Sequence, residues 1–95
     1  MKKAIVLDAK DNVATLLTDA DESDVVETKT GEGVREIRVK EKIQFGHKCA
    51  LRRIRKGESV IKYGEVIGMA SQDIDEGRHV HVHNVESLRG RGDLH

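Results

Sequence analysis

His79-Val80-His81-Val82-His83-Asn84 is the stretch from which the rest of the chain can be read. Successive side chains on a β-strand point to opposite faces, so residues i, i+2 and i+4 share one face. If extended, this segment lines up His79, His81 and His83 on one side and sends Val80 and Val82 to the other. Valine favours extended backbone, so a strand is expected, with its valines buried and its imidazoles presented outward. Three of the five histidines in the chain fall in these five residues. An imidazole can ligate a metal, move a proton or pair with a carboxylate near neutral pH. Two of them at i and i+2 can reach one divalent ion, with a third ligand from elsewhere. The plainer reading is the polar outer face of an amphipathic strand. Asn84 either orients a ligand or ends the strand.

The bulk composition narrows the classes around that strand. Ninety-five residues make one domain with a single modest core. Apolar residues are 37% and charged residues 36%, so the core is lean. With one Phe, one Tyr and no Trp, that core is built from Val, Ile, Leu and Ala. The same shortage removes the stacking platforms of single-stranded nucleic-acid binders. Seventeen basic residues balance seventeen acidic ones, which leaves no global footprint for nucleic acid or an anionic membrane. No apolar run approaches the ~20 residues of a membrane span, and the apolar part of Ala4–Leu7 is too short for a signal peptide. The single Cys49 excludes an internal disulfide and fits a reducing cytoplasm. It reads as a small buried hydrophobe in preference to a reactive thiol. A core this lean would gain from a further interface, with a homo-oligomer as one form of it.

Taken in order, the chain reads as short strands and turns. Ala4–Leu7 and Val13–Leu17 suggest a β-hairpin around Asp8 and Asp11-Asn12. The acidic run Asp19–Asp24 lacks the glycine and distal glutamate of a calcium loop and reads as a solvated turn. Val25-Val26 and Thr28 form a strand, Thr30-Gly31-Glu32-Gly33 a turn, and Val34–Ile43 an alternating strand. His47–Ile54 reads as another. Ile54-x-x-Gly57-x-x-Val60 recurs as Ile74-x-x-Gly77-x-x-Val80, a repeated strand-turn-strand corner in which glycine supplies the backbone angle. Gly64 and Gly68 mark bends, and Ser71–Glu76 has room for one short helical turn. The expectation is a mostly β, single compact domain of about seven or eight short strands over residues 1–88. Residues 89–95 read as a flexible Arg/Gly tail or a junction.

Gly46-His47-Lys48, Lys56-Gly57-Glu58, Ile61-Lys62-Tyr63-Gly64, Ile67-Gly68 and the histidine stretch, in that order, form a specific set. With Arg89-Gly90-Arg91-Gly92-Asp93 after it, the set resembles the N-terminal SAF domain of the altronate and galactarate dehydratases. The likeness is densest from Gly46 onward, and the layout is similar to the separate small subunits of that family. The small subunit of (2R)-sulfolactate sulfo-lyase is similar too.

The resemblance implies a β-clip fold and a cytoplasmic hydro-lyase subunit. It would act with a large lyase subunit encoded as a separate chain. The implied reaction is β-elimination of water from a sugar acid, giving a 2-keto-3-deoxy acid. Such chemistry needs a base for the C2 proton, a cation near the carboxylate and an acid for the departing hydroxyl. The resemblance suggests iron(II) or manganese(II), with His81 and His83 as ligands. His81, His83 and His79 are the catalytic candidates. His47, Lys48, Lys62, Arg78 and Asn84 are candidates for holding substrate, and Arg89, Arg91 and Asp93 for an interface. Each has a plainer reading: His47 as a strand cap, Lys62 and Tyr63 as surface residues, Arg89 and Arg91 as tail charges. The chain departs from the family pattern at Cys49 and Arg53, where an aliphatic and an acidic residue are expected. It also lacks the large catalytic portion of the long members, which implies an incomplete site. A non-catalytic module binding a sugar acid or a metal is the alternative from another class.

Overall fold

A computed structural model describes residues 2–87. Within it the first expected hairpin forms as β1 (Lys2–Ile5) and β2 (Val13–Leu16), with Ala4 opposite Leu16 and Ile5 opposite Thr15. Its loop is closed by Asp11, whose carboxylate accepts the backbone N–H groups of Leu7 and Asp8, each at 3.2 Å. β1 pairs in parallel with β3 (Val25–Thr30), which turns at Gly31-Glu32 into β4 (Gly33–Arg38). The other edge of β2 takes β5 (Lys48–Ala50), and β5 in turn takes β8 (His79–Val80). This gives a six-stranded sheet in the order β4-β3-β1-β2-β5-β8. A second sheet, β6-β7-β9, is built from Ser59–Lys62, Glu65–Ala70 and Val85–Ser87.

The architecture is a small β domain, as expected, with nine short strands among the described residues. Several boundaries differ. Ser71–Glu76 holds no helical turn: Ile74 bridges Ile54 and the segment is pulled into the sheet framework. His47–Ile54 is a strand only at Lys48–Ala50, because Leu51 and Ile54 turn inward to the core. Among the described residues no helix is long and apolar enough to cross a membrane. The expected tail at 89–95 lies outside the described residues, as do Arg89, Arg91 and Asp93.

The corner seen twice in the sequence occurs four times in the structure. Ala20–Val26 and Ile43–Cys49 repeat the shape of Ile54–Val60 and Ile74–Val80. In each, the fifth residue donates its N–H to the carbonyl of the second: Asp24 to Asp21 at 2.9 Å, His47 to Gln44 at 3.0 Å, Glu58 to Arg55 at 2.9 Å, Arg78 to Asp75 at 3.1 Å. The fourth residue is left-handed, with φ of 76° at Ser23, 85° at Gly46, 89° at Gly57 and 85° at Gly77. The first residues pair off, Ala20 with Ile43 and Ile54 with Ile74, through reciprocal backbone hydrogen bonds. All four anchors are buried.

Two apolar clusters result, and the β2–β5 ribbon divides them. Ala14, Leu16 and Cys49 face a cluster containing Val26, Ile37, Val39 and Ile43. Val13 and Ala50, on the opposite face, join Ile54, Val60, Ala70, Ile74 and Val80. The ribbon is therefore buried on both sides. Cys49 is fully enclosed, and burial pushes its thiol up to about 12. The core reading of Cys49 holds.

Candidate functional site

β5 and β8 carry the histidines to one edge of the larger sheet. Lys48 lies opposite Val80 and Cys49 opposite His79. One step outward, this antiparallel register sets His47, at the exit of the Gly46 corner, across from His81. The His47 and His81 rings stack with centroids 4.4 Å apart. His79 lies 5.1 Å from each of them, and His83 lies 5.2 Å from His79. The imidazoles gather, but not as a single extended ribbon. Only His79-Val80 is strand, and the chain turns at 82–84. Val82, expected in the core, is 81% exposed.

Asn84 is the physical reason. Its Oδ1 accepts the His81 N–H at 2.9 Å, its Nδ2 donates to the His79 carbonyl at 2.8 Å, and its own N–H donates to the His81 carbonyl at 3.1 Å. A short polar side chain that bonds nearby backbone competes with the strand ladder, and here it wins. Asn84 is buried with its amide engaged on backbone. It holds the turn, and it also borders the cavity lined by Glu41, Asp75, Arg78 and His83.

The donor set that meets in space is His47, His79 and His81, one ring nitrogen from each lying within 4.8 Å of the others. His47 Nδ1 and His79 Nε2 are 2.9 Å apart. The family resemblance suggested His81 with His83 as the ligand pair. The structure brings in His47, the residue just before β5, and His83 stands outside the trio. Burial, followed by repulsion from His47, His81 and His83, lowers His79 to about 4. His81 is also lowered, by burial and then by His47, Lys48 and His83. Such rings are neutral at neutral pH, with lone pairs available. The donor set could hold a divalent ion.

Two flanks border the trio. On one, Lys48 lines a cavity of about 180 Å³ with Ile67, His81, Val82 and Val85. Burial, and then the charge of Lys62, lowers the Lys48 ammonium. Lys62 sits 4.9 Å over the ring of Tyr63. On the other, Glu41 accepts the His79 N–H at 3.2 Å and pairs with Arg78 at 3.8 Å. Glu41, Arg78, Asp75 and His83 line a second cavity of about 290 Å³. Lys48 thus shares a flank with His81, and the Lys62 charge bears on it, whereas Arg78 is on the other flank and already has a carboxylate. Arg53 bridges Asp73 and Asp75 on the surface, at 3.0 and 2.6 Å.

Residues 2–88 match the model of the altronate/galactarate dehydratase SAF domain. The chain belongs to this family. An altronate dehydratase of Bacillus subtilis is 42% identical over 87 residues, covering 92% of this chain and 17% of that protein. One from Escherichia coli is 41% identical over 83 residues, or 87% of this chain and 16% of that protein. A (2R)-sulfolactate sulfo-lyase subunit alpha from Chromohalobacter salexigens is 51% identical over 51 residues, 54% of each chain. The SAF domain therefore spans about a sixth of the dehydratases it resembles. Its histidine edge, built from two of the four corners, is open on its outer side, with Val82 standing clear of the chain.

Proposed function

We propose that this SAF domain is the small subunit of a sugar-acid dehydratase of the altronate/galactarate type, working in the cytoplasm with a separate large lyase chain. The imidazole trio on an open edge carries the reading, because three imidazole nitrogens within 4.8 Å of one another form a functional group without an enclosing cavity of their own. His47, His79 and His81 would hold a divalent ion, and an all-imidazole set suits iron(II) better than manganese(II). Such an ion would supply the positive charge that stabilises an enediolate.

The residues of this chain then divide the remaining work. His83, outside the trio, transfers a proton, an imidazole being suited to this near neutral pH. Elimination moves the C2 proton to a base, forms the C2–C3 double bond and expels the C3 hydroxyl, protonated, as water. The enol product tautomerises to the 2-keto-3-deoxy acid. Glu41 and Asn84 fix the backbone of His79 and His81, so the rings need little reordering on binding. The large chain would supply the groups that close the site.

Reconstitution tests this. Co-expressed with a large lyase chain, the domain is expected to dehydrate altronate or galactarate, read as 2-keto acid formation. His47→Ala and His81→Ala should remove the activity while leaving the fold intact. Full activity in both variants would exclude the histidine edge from the mechanism. The relatives whose names call them sulfo-lyase subunits favour a second reading, in which sulfite leaves in place of water. Sulfite release from (2R)-sulfolactate by the same complex would select it. Acid binding without turnover of either substrate would leave a non-catalytic module.

A further inference from the structure

We propose that Lys48 and Lys62 form an oxyanion subsite beside the histidine edge, taking one acid group, carboxylate or sulfonate, of a small organic acid. The inference rests on the reading above and names which flank of the site holds the acid.

Lys48 is half-buried at the wall of the cavity that it shares with His81, Ile67, Val82 and Val85. A buried ammonium is costly without a counter-charge. Among the described residues, neither Lys48 nor Lys62 has a carboxylate partner: the ion pairs of the domain engage Lys2, Lys3, Arg35, Arg52, Arg53 and Arg78. Glu65, the register partner of Lys62 across the β6–β7 hairpin, forms no ion pair with it. The charged neighbour that Lys48 does meet is Lys62, which repels it. Lys62 is itself half-buried and held over the Tyr63 ring. A half-buried ammonium at the cavity wall beside the His81 imidazole, with a second half-buried ammonium whose charge bears on it and no carboxylate partner for either among the described residues, leaves room for an anion from outside.

Arg78 does not compete for this role, since Glu41 neutralises it on the opposite flank. The residue type also matters. Arginine presents a planar fork matched to a carboxylate, whereas lysine is a compact point charge. A lysine pair accommodates a planar carboxylate and a tetrahedral sulfonate alike, and Ile67, Val82, Val85 and Ser87 line the cavity around Lys48.

The test is an amide-shift titration of the full chain, treated with chelator, using galactarate, sulfoacetate and neutral galactitol as probes. Galactarate, sulfoacetate or both should shift the amides around Lys48, Lys62 and His81 saturably, and galactitol should not. Lys48→Met is expected to weaken binding at least about tenfold, Lys62→Met to weaken it less, and the double variant to abolish it. Lys48→Arg should retain binding. Lys42→Met, at an exposed lysine elsewhere, should leave affinity unchanged. No saturable shift, equal binding of galactitol, unchanged affinity in the double variant, or an equal loss in Lys42→Met would each overturn the subsite. If anion binding needs both lysines while no reconstituted complex turns over, the dehydratase reading fails and the subsite stands. Turnover that needs His47 and His81 while anion affinity ignores both lysines sinks the subsite alone.

Discussion

Asn84 and His79 show how single side chains set the candidate site. The Asn84 amide closes two hydrogen bonds to backbone groups of the histidine turn, at 2.8 and 2.9 Å, in a buried position. Removing it leaves a buried carbonyl and an N–H unpaired, at a cost of about 1–3 kcal/mol. Asn84→Ala should therefore lower the urea midpoint and also weaken cobalt(II) binding, because His81 is no longer held against His47. Asn84→Asp keeps the acceptor for the His81 N–H and should fall between. Unchanged cobalt affinity in Asn84→Ala would show that the rings gather without the clamp. His79 has a different signature. Its folded pKa is about 4, below the unfolded value near 6.5. Between those values the unfolded chain binds a proton that the folded chain does not, so stability rises with pH. The metal-free chain should lose on the order of 1 kcal/mol as pH falls from 6.5 to 4, after discounting for the partly exposed ring. Urea midpoints at several pH values check this, and His79→Asn should flatten that part of the slope.

The four corners place their left-handed residue differently against the rest of the fold, and that orders the cost of changing it. At Gly46 and Gly57 a Cβ would meet nothing within 4 Å. Alanine there is strained only by its backbone, by roughly 1–2 kcal/mol. At Gly77 a Cβ would also run into the Arg38 carbonyl oxygen, a backbone atom fixed at the end of β4. Gly77→Ala should cost clearly more than either, and because Gly77 precedes His79 it should disturb the histidine edge as well. Ser23 already carries the strain, at φ 76°, so Ser23→Gly should stabilise by up to about 1 kcal/mol. Thermal melts of the four variants give the ranking, and Gly77→Ala as mild as Gly46→Ala would contradict it. The same element explains what could be read in advance. Ile-x-x-Gly-x-x-Val was visible at Ile54 and Ile74 because anchor, glycine and valine all recur. The copies at Ala20 and Ile43 hid behind Ser23 in the glycine position and Ala20 and Cys49 at the apolar ends. Alternation likewise found the histidine face but overextended the strand, because periodicity does not register an asparagine four residues on bonding backward to the chain. His47 belongs to the edge through pairing between β5 and β8, a long-range fact that local pattern does not carry.

At the scale of the whole molecule, the β2–β5 ribbon makes the two apolar clusters one cooperative unit. Its residues alternate between them, Ala14, Leu16 and Cys49 to one side and Val13 and Ala50 to the other. Neither cluster can open without exposing a face of the ribbon that the other needs packed. Ile37→Ala, in the first cluster, and Ile54→Ala, in the second, each delete most of a fully buried side chain, at a cost of about 2–5 kcal/mol. Both should lower the midpoint of one common urea transition without creating a second. Cys49 is a built-in reporter: enclosed, with its thiol raised to about 12, it should react with a thiol reagent only on unfolding. In Ile54→Ala, thiol labelling and loss of far-ultraviolet signal should coincide, although Cys49 packs in the other cluster. Labelling that keeps its original midpoint in Ile54→Ala would mean that the clusters melt separately. The histidine edge would then inherit the weaker stability, since β8 sends Val80 into the second cluster while its partner β5 sends Cys49 into the first.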